Sequence, residues 1–369
     1  MAKLLFISNK DNNFYNFRSE KILKFKELGH KIVLLCPYGE KIDYFTERGC
    51  RFINMEIDRR GTNPIKDFIL LKNYVKVIKK ERPDIVFTYT TKSSIYGALA
   101  CRLLNVPCIV NNAGLIDPNE YKWYVGLILK FLYKRSFAKS SCMMYQNALE
   151  REVLNRILHN KVHYRDIPGS GVNIDKFKYT DYPENDDIIR FNWVARIVDI
   201  KGINELIACA ERIKGKYPNT EFVLYGDYDD DSYRERIEEC EKRGVVKYGG
   251  IQLDMRPHIA ASHCVIHTSY YEGMTNVILE HGAMGRPAIA SNIPGCREAI
   301  DDGISGFTFE VKNVDDLVDK VEKFILLSHE EKVEMGKAAR RKMEKEFDRN
   351  IVTDIYLEEI NKILYKLDV

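Results

Sequence analysis

Two glutamates and a helix start mark the segment of this sequence with the densest potential chemistry. In SYYEGMTNVILEHGAMGRPAIASNIPG (269–295), seven residues separate Glu272 from Glu280, a strand pattern ends at Ser269, and a helical pattern begins near Thr275. The N–H groups of a helix start, with the helix dipole behind them, can seat a phosphate or diphosphate. Glu280 lies about 7.5 Å further along that helix, so its carboxylate can accept hydrogen bonds from both hydroxyls of a nucleotide ribose.

Two cations form a second candidate group. Arg196 follows the strand pattern 188–195, and Lys201 precedes Gly202 at the start of another helix. At the carboxyl end of a strand, beside a diphosphate seat, they can neutralise a leaving group without a metal ion. Each feature alone also has a structural interpretation, with Glu272 and Glu280 as solvated charges and the two cations as surface residues around Asp199. The combination favours the functional interpretation.

The rest of the chain predicts the elements that position these residues. With 369 residues, of which 45% are hydrophobic, the chain is long enough for about two domains with cores of their own. Short β-branched runs alternate with amphipathic stretches, seven runs before residue 170 and six after residue 186, which is typical of parallel sheets built from βαβ units. The stretch 168–187 is rich in Pro, Gly, Asp and Tyr and lacks apolar periodicity, so we predict a linker near 170–186. Residues 314–366 predict consecutive helices. We predict an α/β protein with two Rossmann-like sheets facing each other across a ligand-binding cleft.

Composition excludes several classes of protein. The balance of 57 basic and 54 acidic residues, a net charge of +3, argues against a general nucleic-acid binder. The nine cysteines are an odd number without a Cys-x-x-Cys pair, and we predict reduced thiols in a cytoplasmic protein. The N-terminal apolar run LLFI is too short for a signal peptide, and the longest apolar run, 123–129, is too short to span a membrane.

Long stretches of the second half resemble a known enzyme family. WVARIVDIKGINELI, LYGDYDD and the segment 246–307 resemble, in order and spacing, the nucleotide-sugar-binding half of glycosyltransferase family 4, a retaining family with the GT-B fold. Glu272 and Glu280 correspond to its Glu-x7-Glu signature. Segments such as TYTTKSSIYG (88–97) and IPGSGVNIDKF (167–177) are similar to the subgroup that adds hexoses or N-acetylhexosamines to polyprenyl-diphosphate-linked sugars in bacterial glycan assembly.

The resemblance implies a different role for each part of the chain. Residues 1–172 would form an acceptor-binding domain and 173–348 a nucleotide-sugar-binding domain, with a final helix, 349–369, returning to the first. The donor would be a nucleoside diphosphate sugar, UDP-linked, and transfer would proceed with retention and without a metal or other cofactor. Arg196 and Lys201 would bind the donor diphosphate, and Thr275 and Asn276 would donate backbone N–H groups to it. Glu280 would contact the ribose and Glu272 would position the donor sugar. Gly226 would allow close backbone approach to the nucleotide, and Gly273 is a further donor-binding residue.

The first half departs from the family pattern. Many relatives have a glycine-rich loop after the first strand, but SNKDNNFYNF has no glycine, so the side-chain amides of Asn9 to Asn13 would replace it. Many also have a histidine near the reacting sugar, whereas the first 150 residues contain only His30, in a turn. The candidate acceptor-side residues are therefore Asn12, Thr91, Lys92 and Asn112.

Two apparent metal motifs are better explained in other ways. Asp227 and Asp229 fit an Asp-x-Asp pattern, but they precede a helical stretch, which favours N-capping acids. His263 and His267 have the spacing of a zinc helix, but they lie in a strand pattern, where about 13 Å separates them. We predict no metal site.

A basic aromatic segment predicts contact with a membrane surface. From Tyr121 to Leu149 there is no acidic residue, and aromatic and aliphatic side chains interleave with five cations: Lys122, Lys130, Lys134, Arg135 and Lys139. Such a helix, 121–139, can lie in an anionic bilayer interface, which would hold the protein at the inner face of the cell membrane. An ordinary packed helix is the alternative.

Two rival functions remain open at this stage. A hydrolysing UDP-N-acetylglucosamine epimerase has the same architecture and would convert the donor without any acceptor. A non-catalytic nucleotide-sugar-binding protein would be expected to lose the cations and acids, yet Arg196, Lys201, Glu272 and Glu280 are all present.

Overall fold

Thirteen strands and thirteen α-helices alternate along the part of the chain that the structure describes. The structure is a computed structural model and describes residues 1–58, 61, 63–111, 117–184 and 188–365. It divides into two units, Met1–Ser170 with the described part of Val352–Val369, and Gly171–Ile351.

The first unit contains a parallel sheet of seven strands in the order β3-β2-β1-β4-β5-β6-β7. Its strands are β1 Lys3–Ile7, β2 Lys31–Cys36, β3 Arg51–Asn54, β4 Ile85–Tyr89, β5 Cys108–Asn111, β6 Cys142–Tyr145 and β7 Tyr164–Asp166. Its helices are α1 Asn12–Glu27, α2 Asp43–Thr46, α3 Pro64–Glu81, α4 Thr91–Leu104, α5 Trp123–Phe137 and α6 Ala148–Leu158, and most of α13 Arg349–Tyr365 packs with them.

The second unit contains a parallel sheet of six strands in the order β10-β9-β8-β11-β12-β13. Its strands are β8 Ile189–Val194, β9 Thr220–Tyr225, β10 Lys247–Gly250, β11 Cys264–His267, β12 Ala288–Ser291 and β13 Gly306–Phe309. Its helices are α7 Ile203–Lys216, α8 Tyr233–Lys242, α9 Arg256–Ala260, α10 Asn276–Ala283, α11 Val314–Leu326 and α12 His329–Glu346.

Both sheets are covered by helices and loops on both faces, which explains their nearly continuous apolar strands. In β2, for example, every residue after Lys31 is buried, and β4 is buried throughout. Each of the thirteen predicted strands is present, with ends that differ from the prediction by at most two residues. The prediction of an α/β protein with two Rossmann-like parallel sheets is confirmed.

The predicted start of α1 is wrong. The sequence pattern predicts a helix over 17–28, but α1 begins at Asn12. Arg18 and Lys21 occupy its buried face, where an apolar residue would have continued the periodicity. Their charges lie over aromatic rings, Arg18 at 3.9 Å from the centroid of Tyr89 and Lys21 at 3.4 Å from that of Tyr356. Both residues lie within the predicted range, and the missed residues 12–16 contribute only one buried side chain, Phe14.

Candidate active site

The predicted donor-side residues follow three neighbouring strands of the second sheet. Arg196 and Lys201 follow β8, Gly226 follows β9 and Glu272 follows β11. Because β8 lies between β9 and β11, the loops at their carboxyl ends lie along one edge of the sheet. The strand order reverses between β8 and β11, and such a switch point is where open α/β sheets bind their ligands. Lys201 and Glu272 come from the loops on its two sides.

Three donors converge on one oxygen of the Glu272 carboxylate. Lys201 Nζ lies 2.5 Å, Ser269 Oγ 2.7 Å and His267 Nε2 3.1 Å from Oε1. Burial opposes ionisation of this carboxyl, but hydrogen bonds and electrostatic attraction from His267 and Lys201 outweigh it and lower the pKa of Glu272 to about 2. Among the described residues no polar group contacts Oε2, so this oxygen can accept hydrogen bonds from a ligand.

The sequence pattern did not identify His267 and Ser269 as partners of Glu272. It considered His267 only as a zinc ligand with His263. The available signal was their position, since both lie at the carboxyl end of the strand pattern that leads directly to Glu272.

A close backbone contact fixes the turn that carries Lys201. Gly202 has a φ of +70°, and a Cβ there would lie 2.2 Å from the carbonyl oxygen of Thr268. Thr268 Oγ1 also donates to the carbonyl oxygen of Lys201 at 2.8 Å. Only glycine fits this approach, which holds the Lys201 turn against the end of β11.

Gly295 packs closely against the backbone of the loop before α10. Gly295 has a φ of +87°, and a Cβ there would lie 2.3 Å from the carbonyl oxygen of Gly273. The amide of Thr275 donates to the carbonyl oxygen of Gly295 at 3.2 Å, so the predicted Thr275 donor is already engaged. Asn276 begins α10, and an N–H group in the first turn has no acceptor within its own helix.

Glu280 lies on α10, half-buried, and no hydrogen-bonding partner contacts its carboxylate among the described residues. Burial raises the pKa of Glu280 to about 7, although the positive charges of Arg349 and Lys176 oppose the shift. A partly buried carboxylate with both oxygens available can accept two hydroxyl groups.

Arg196 faces the loop after β9 in this structure. Its Nη1 donates to Asp229 Oδ2 at 2.6 Å. Asp229 therefore does not cap α8, which begins at Tyr233 after Ser232, and the prediction of N-capping acids is wrong. Asp229 pairs with the guanidinium and not with the start of α8. The other N–H groups of Arg196 can still bind a second anion.

Gly226 is required by packing of the protein itself. It has a φ of +145°, and a Cβ there would lie 1.8 Å from the carbonyl oxygen of Ala195. The space that the missing side chain leaves is therefore filled by the end of β8, whereas we predicted that a nucleotide would approach it.

Two predicted acceptor-side residues follow the strands at the switch point of the first sheet. The strand order reverses between β1 and β4, and Asn12 begins the helix after β1 while Thr91 begins the helix after β4. Between β4 and Thr91, Thr90 adopts a φ of +71°, an outlier for a β-branched residue. Asn112 lies outside the described residues.

Lys92 contacts three oxygen atoms of the first unit. Its Nζ lies 2.6 Å from Asp67 Oδ1 and 2.8 Å from the carbonyl oxygens of Asp58 and Gly61. The ion pair with Asp67 and the hydrogen bonds to Asp58 and Gly61 hold the ammonium against its own unit. A role of Lys92 at the acceptor stays a prediction.

One cluster of metal-ligand side chains lies in the first unit. Within the described ranges, Cys142, His163 and Glu359 are the only such group, with ligand atoms within 4.8 Å of one another. Glu359 already accepts from Arg165 and Lys362, each at 3.0 Å. These two cations oppose a metal ion there, and Arg165, which lies on β7, ties α13 to the first sheet. Independence from metals stays a prediction.

Helix α5 exposes five large apolar side chains. Trp123 is 77% exposed and Phe131 58%, and Tyr124, Leu127 and Ile128 are about half exposed, whereas Gly126, Tyr133, Ser136 and Phe137 are buried. Between α4 and α5, Arg102, Phe131, Lys134, Arg135 and Ala138 line a groove of about 370 Å³. Within the described ranges, none of the helices combines the length and apolar character needed to cross a membrane.

The chain matches two protein families, one in each unit. The family described as "Glycosyl transferase 4-like" matches residues 3–147, and "Glycosyl transferases group 1" matches residues 176–342. Together with two parallel-sheet units, these matches define a glycosyltransferase of the GT-B class.

Curated relatives extend over the whole chain. The chain is 26% identical to N,N'-diacetylbacillosaminyl-diphospho-undecaprenol alpha-1,3-N-acetylgalactosaminyltransferase of Campylobacter jejuni, with 97% of this chain and 98% of that protein covered. It is 25% identical to UDP-Gal:alpha-D-GlcNAc-diphosphoundecaprenol alpha-1,3-galactosyltransferase of Escherichia coli, with 78% of each covered.

Solved structures share the fold. A glycosyltransferase from Rickettsia africae superposes with a TM-score of 0.77 at 21% identity, covering 98% of both chains. The Anabaena protein HepE, in complex with UDP and glucose, superposes with a TM-score of 0.78 at 16% identity, covering 98% of this chain and all of that one.

Proposed function

We propose that this enzyme is a retaining family 4 glycosyltransferase that moves a hexosyl or N-acetylhexosaminyl group from a UDP-sugar to a saccharide on a polyprenyl diphosphate. The observation that carries the proposal is the contact of Lys201 with Glu272 at the switch point of the second sheet, with the unpartnered Glu280 on the helix that follows. The names of the Campylobacter jejuni and Escherichia coli relatives, which describe transfer to undecaprenol-diphosphate-linked sugars, support the acceptor class.

The donor would be bound by charges and amides of the second unit. Lys201 and Arg196 neutralise the diphosphate, the Asn276 amide adds a neutral donor, and Glu280 accepts the ribose hydroxyls. Glu272 is ionised and held through Oε1, so Oε2 is available to the hydroxyls and the developing positive charge of the donor sugar.

The chemical step transfers one proton and one sugar. The bond between the anomeric carbon and the diphosphate oxygen breaks, and the acceptor oxygen bonds to that carbon on the same face. The acceptor's proton passes to the departing diphosphate, and Lys201 stabilises the charge that develops there. Supplying cations from side chains makes the reaction metal-independent.

Transfer assays test the reaction. We expect sugar from one of a panel of UDP-sugars to appear on a polyprenyl-diphosphate-linked saccharide, in the presence of a chelator. Conversion of the donor without an acceptor would instead identify a hydrolysing epimerase, and donor binding without turnover would identify a non-catalytic binding protein.

Donor affinity is expected to depend on pH through Glu280. Its raised pKa, about 7, means that the carboxylate form accepting ribose hydroxyls is lost as the pH falls through 7. Calorimetry with a UDP-sugar, whose diphosphate diester does not titrate near neutrality, should give a Kd that rises about tenfold per pH unit well below pH 7 and levels off above pH 8.

Glu280→Gln provides the control for this prediction. Its Kd should be weaker at pH 8 and nearly constant from pH 6 to 8. An equally steep pH dependence in this variant would assign the titration to another group.

We also propose that α5 docks the enzyme on the inner face of the cytoplasmic membrane, where a lipid-linked acceptor lies. The exposed apolar side chains, such as Trp123 and Leu127, would enter the interface. Lys134 and Arg135, together with Arg102 on α4, form no ion pair with an acidic residue in the described part of the chain, so they can meet lipid phosphates.

Charge reversal should detach the enzyme from anionic vesicles. Because each basic residue near the surface contributes about 1 kcal/mol, replacing Lys130, Lys134 and Arg135 by Glu is expected to lower the partition coefficient at least 100-fold in vesicle sedimentation. The matched control reverses the charge of three exposed lysines of α3 in the same unit, Lys76, Lys79 and Lys80. Unchanged sedimentation of the α5 variant, or an equal loss in the control, would exclude docking through α5.

A further inference from the structure

His267 contacts the signature glutamate but has no part in the mechanism described above. It is the last residue of β11, is only 2% exposed, and its Nε2 lies 3.1 Å from Glu272 Oε1. A histidine buried at the base of a ligand site, directly against the carboxylate that faces the ligand, requires an explanation.

The two ring nitrogens have different surroundings. Nδ1 is buried and has no hydrogen-bond partner among the described residues, whereas Nε2 faces a carboxylate that accepts hydrogen bonds. A proton on Nδ1 would be buried without an acceptor, which is unfavourable. The site therefore favours the tautomer in which Nε2–H donates to Glu272.

Of the three donors to Oε1, His267 is the one on the rigid sheet. β11 pairs with β8 on one side and with β12 on the other, and His267 itself lies opposite Ala290. Ser269 belongs to the same loop as Glu272 and moves with it. Lys201 reaches the carboxylate through a long, flexible side chain.

Donor binding would remove the strongest of these contacts. A diphosphate that binds at Lys201 competes with Glu272 for the ammonium group, because one cation is then shared between two anions. Once Lys201 turns to the diphosphate, only His267 and Ser269 still hold Oε1.

We propose that His267 is a positioning residue that keeps Glu272 Oε1 turned into the protein while Oε2 faces the donor sugar. This proposal rests on the proposed role of Glu272 at that sugar. It assigns His267 no proton transfer, since its one hydrogen bond holds the carboxylate in place. The result is a carboxylate already oriented when the sugar arrives.

Kinetics of two variants test the proposal. His267→Leu should lower kcat about 10- to 100-fold while the Kd for UDP, measured by calorimetry, changes less than twofold, because the nucleotide contacts are intact. His267→Gln keeps a side-chain N–H donor and should recover most of the lost kcat. The matched control is His263→Leu, which removes another buried histidine just before the same strand, at the opposite edge of the sheet.

The outcomes separate this inference from the proposed function. If the unaltered enzyme transfers sugar but His267→Leu keeps kcat within twofold, or His267→Gln loses as much as His267→Leu, the positioning role is wrong and the function stands. If His263→Leu loses as much kcat as His267→Leu, the loss comes from general destabilisation of the second unit and the positioning role is wrong.

A second measurement does not depend on turnover. ¹⁵N NMR of the histidine rings, with His267 assigned by its absence from the His267→Gln spectrum, should identify the Nε2–H tautomer. An Nδ1–H tautomer would contradict the proposal even if no substrate has been found.

Discussion

Replacing Lys201 by alanine is expected to lower kcat/KM about 1,000-fold. Lys201 lies 2.5 Å from Glu272 at the switch point of the second sheet, where the diphosphate of the donor would leave. Removing a group that stabilises developing charge costs about 100- to 1,000-fold in rate. The variant also leaves the part-buried Glu272 carboxylate without its cation, which raises the pKa of a group that must stay ionised. Initial rates at varied donor concentration measure the effect.

Two further variants define the cause of that loss. Lys201→Arg keeps the charge but cannot reproduce the contact of a compact ammonium, so partial activity is expected. Lys247→Ala removes an exposed lysine of the same unit, paired with Glu221, and should leave kcat/KM within twofold. A loss of less than fivefold in Lys201→Ala would remove this residue from the chemical step.

Replacing Arg286 by methionine is expected to lower the free energy of unfolding of the second unit by about 4 kcal/mol. Arg286 is completely buried, and its guanidinium donates to Thr180 O, Asp181 O, Ala260 O and Met284 O, all within 2.8–3.1 Å. Burial lowers its pKa to about 10, which leaves it charged at neutral pH. Methionine fills the volume but leaves several carbonyl oxygens buried without donors, at about 1–3 kcal/mol each.

Urea denaturation measures this loss in the second unit. Trp193 is buried there and Trp123 is exposed in the first unit, so a Trp123→Phe background makes the fluorescence specific. Arg256→Met, which removes an exposed arginine paired with Asp254, should change the free energy of unfolding by at most about 1 kcal/mol. A loss below about 1 kcal/mol for Arg286→Met would show that the three segments it joins do not depend on it.

The sheets and the grouping of the site could be predicted because both depend on local pattern and on topology. A strand buried on both faces must be a short apolar run, which locates segments such as β2 and β4 directly. Parallel strands end at one edge, so Lys201 and Glu272 were expected to lie close together although they are 71 positions apart in the sequence.

The wrong prediction of N-capping acids arose because a charged side chain has a partner distant in sequence. Asp229 pairs with Arg196 in place of capping α8. Lys92 likewise pairs with Asp67, and its role at the acceptor stays a prediction. No local pattern encodes such pairs, since they depend on which segments the fold brings together.

The anomeric configuration of the product tests the central claim most directly. Purified enzyme, a UDP-α-sugar and a polyprenyl-diphosphate-linked saccharide should yield, in the presence of a chelator, a new glycosidic bond that NMR identifies as α-linked, and Glu272→Ala should abolish its formation. A β-linked product, or an α-linked product formed equally fast by Glu272→Ala, would contradict a retaining transferase built on the Lys201 and Glu272 site.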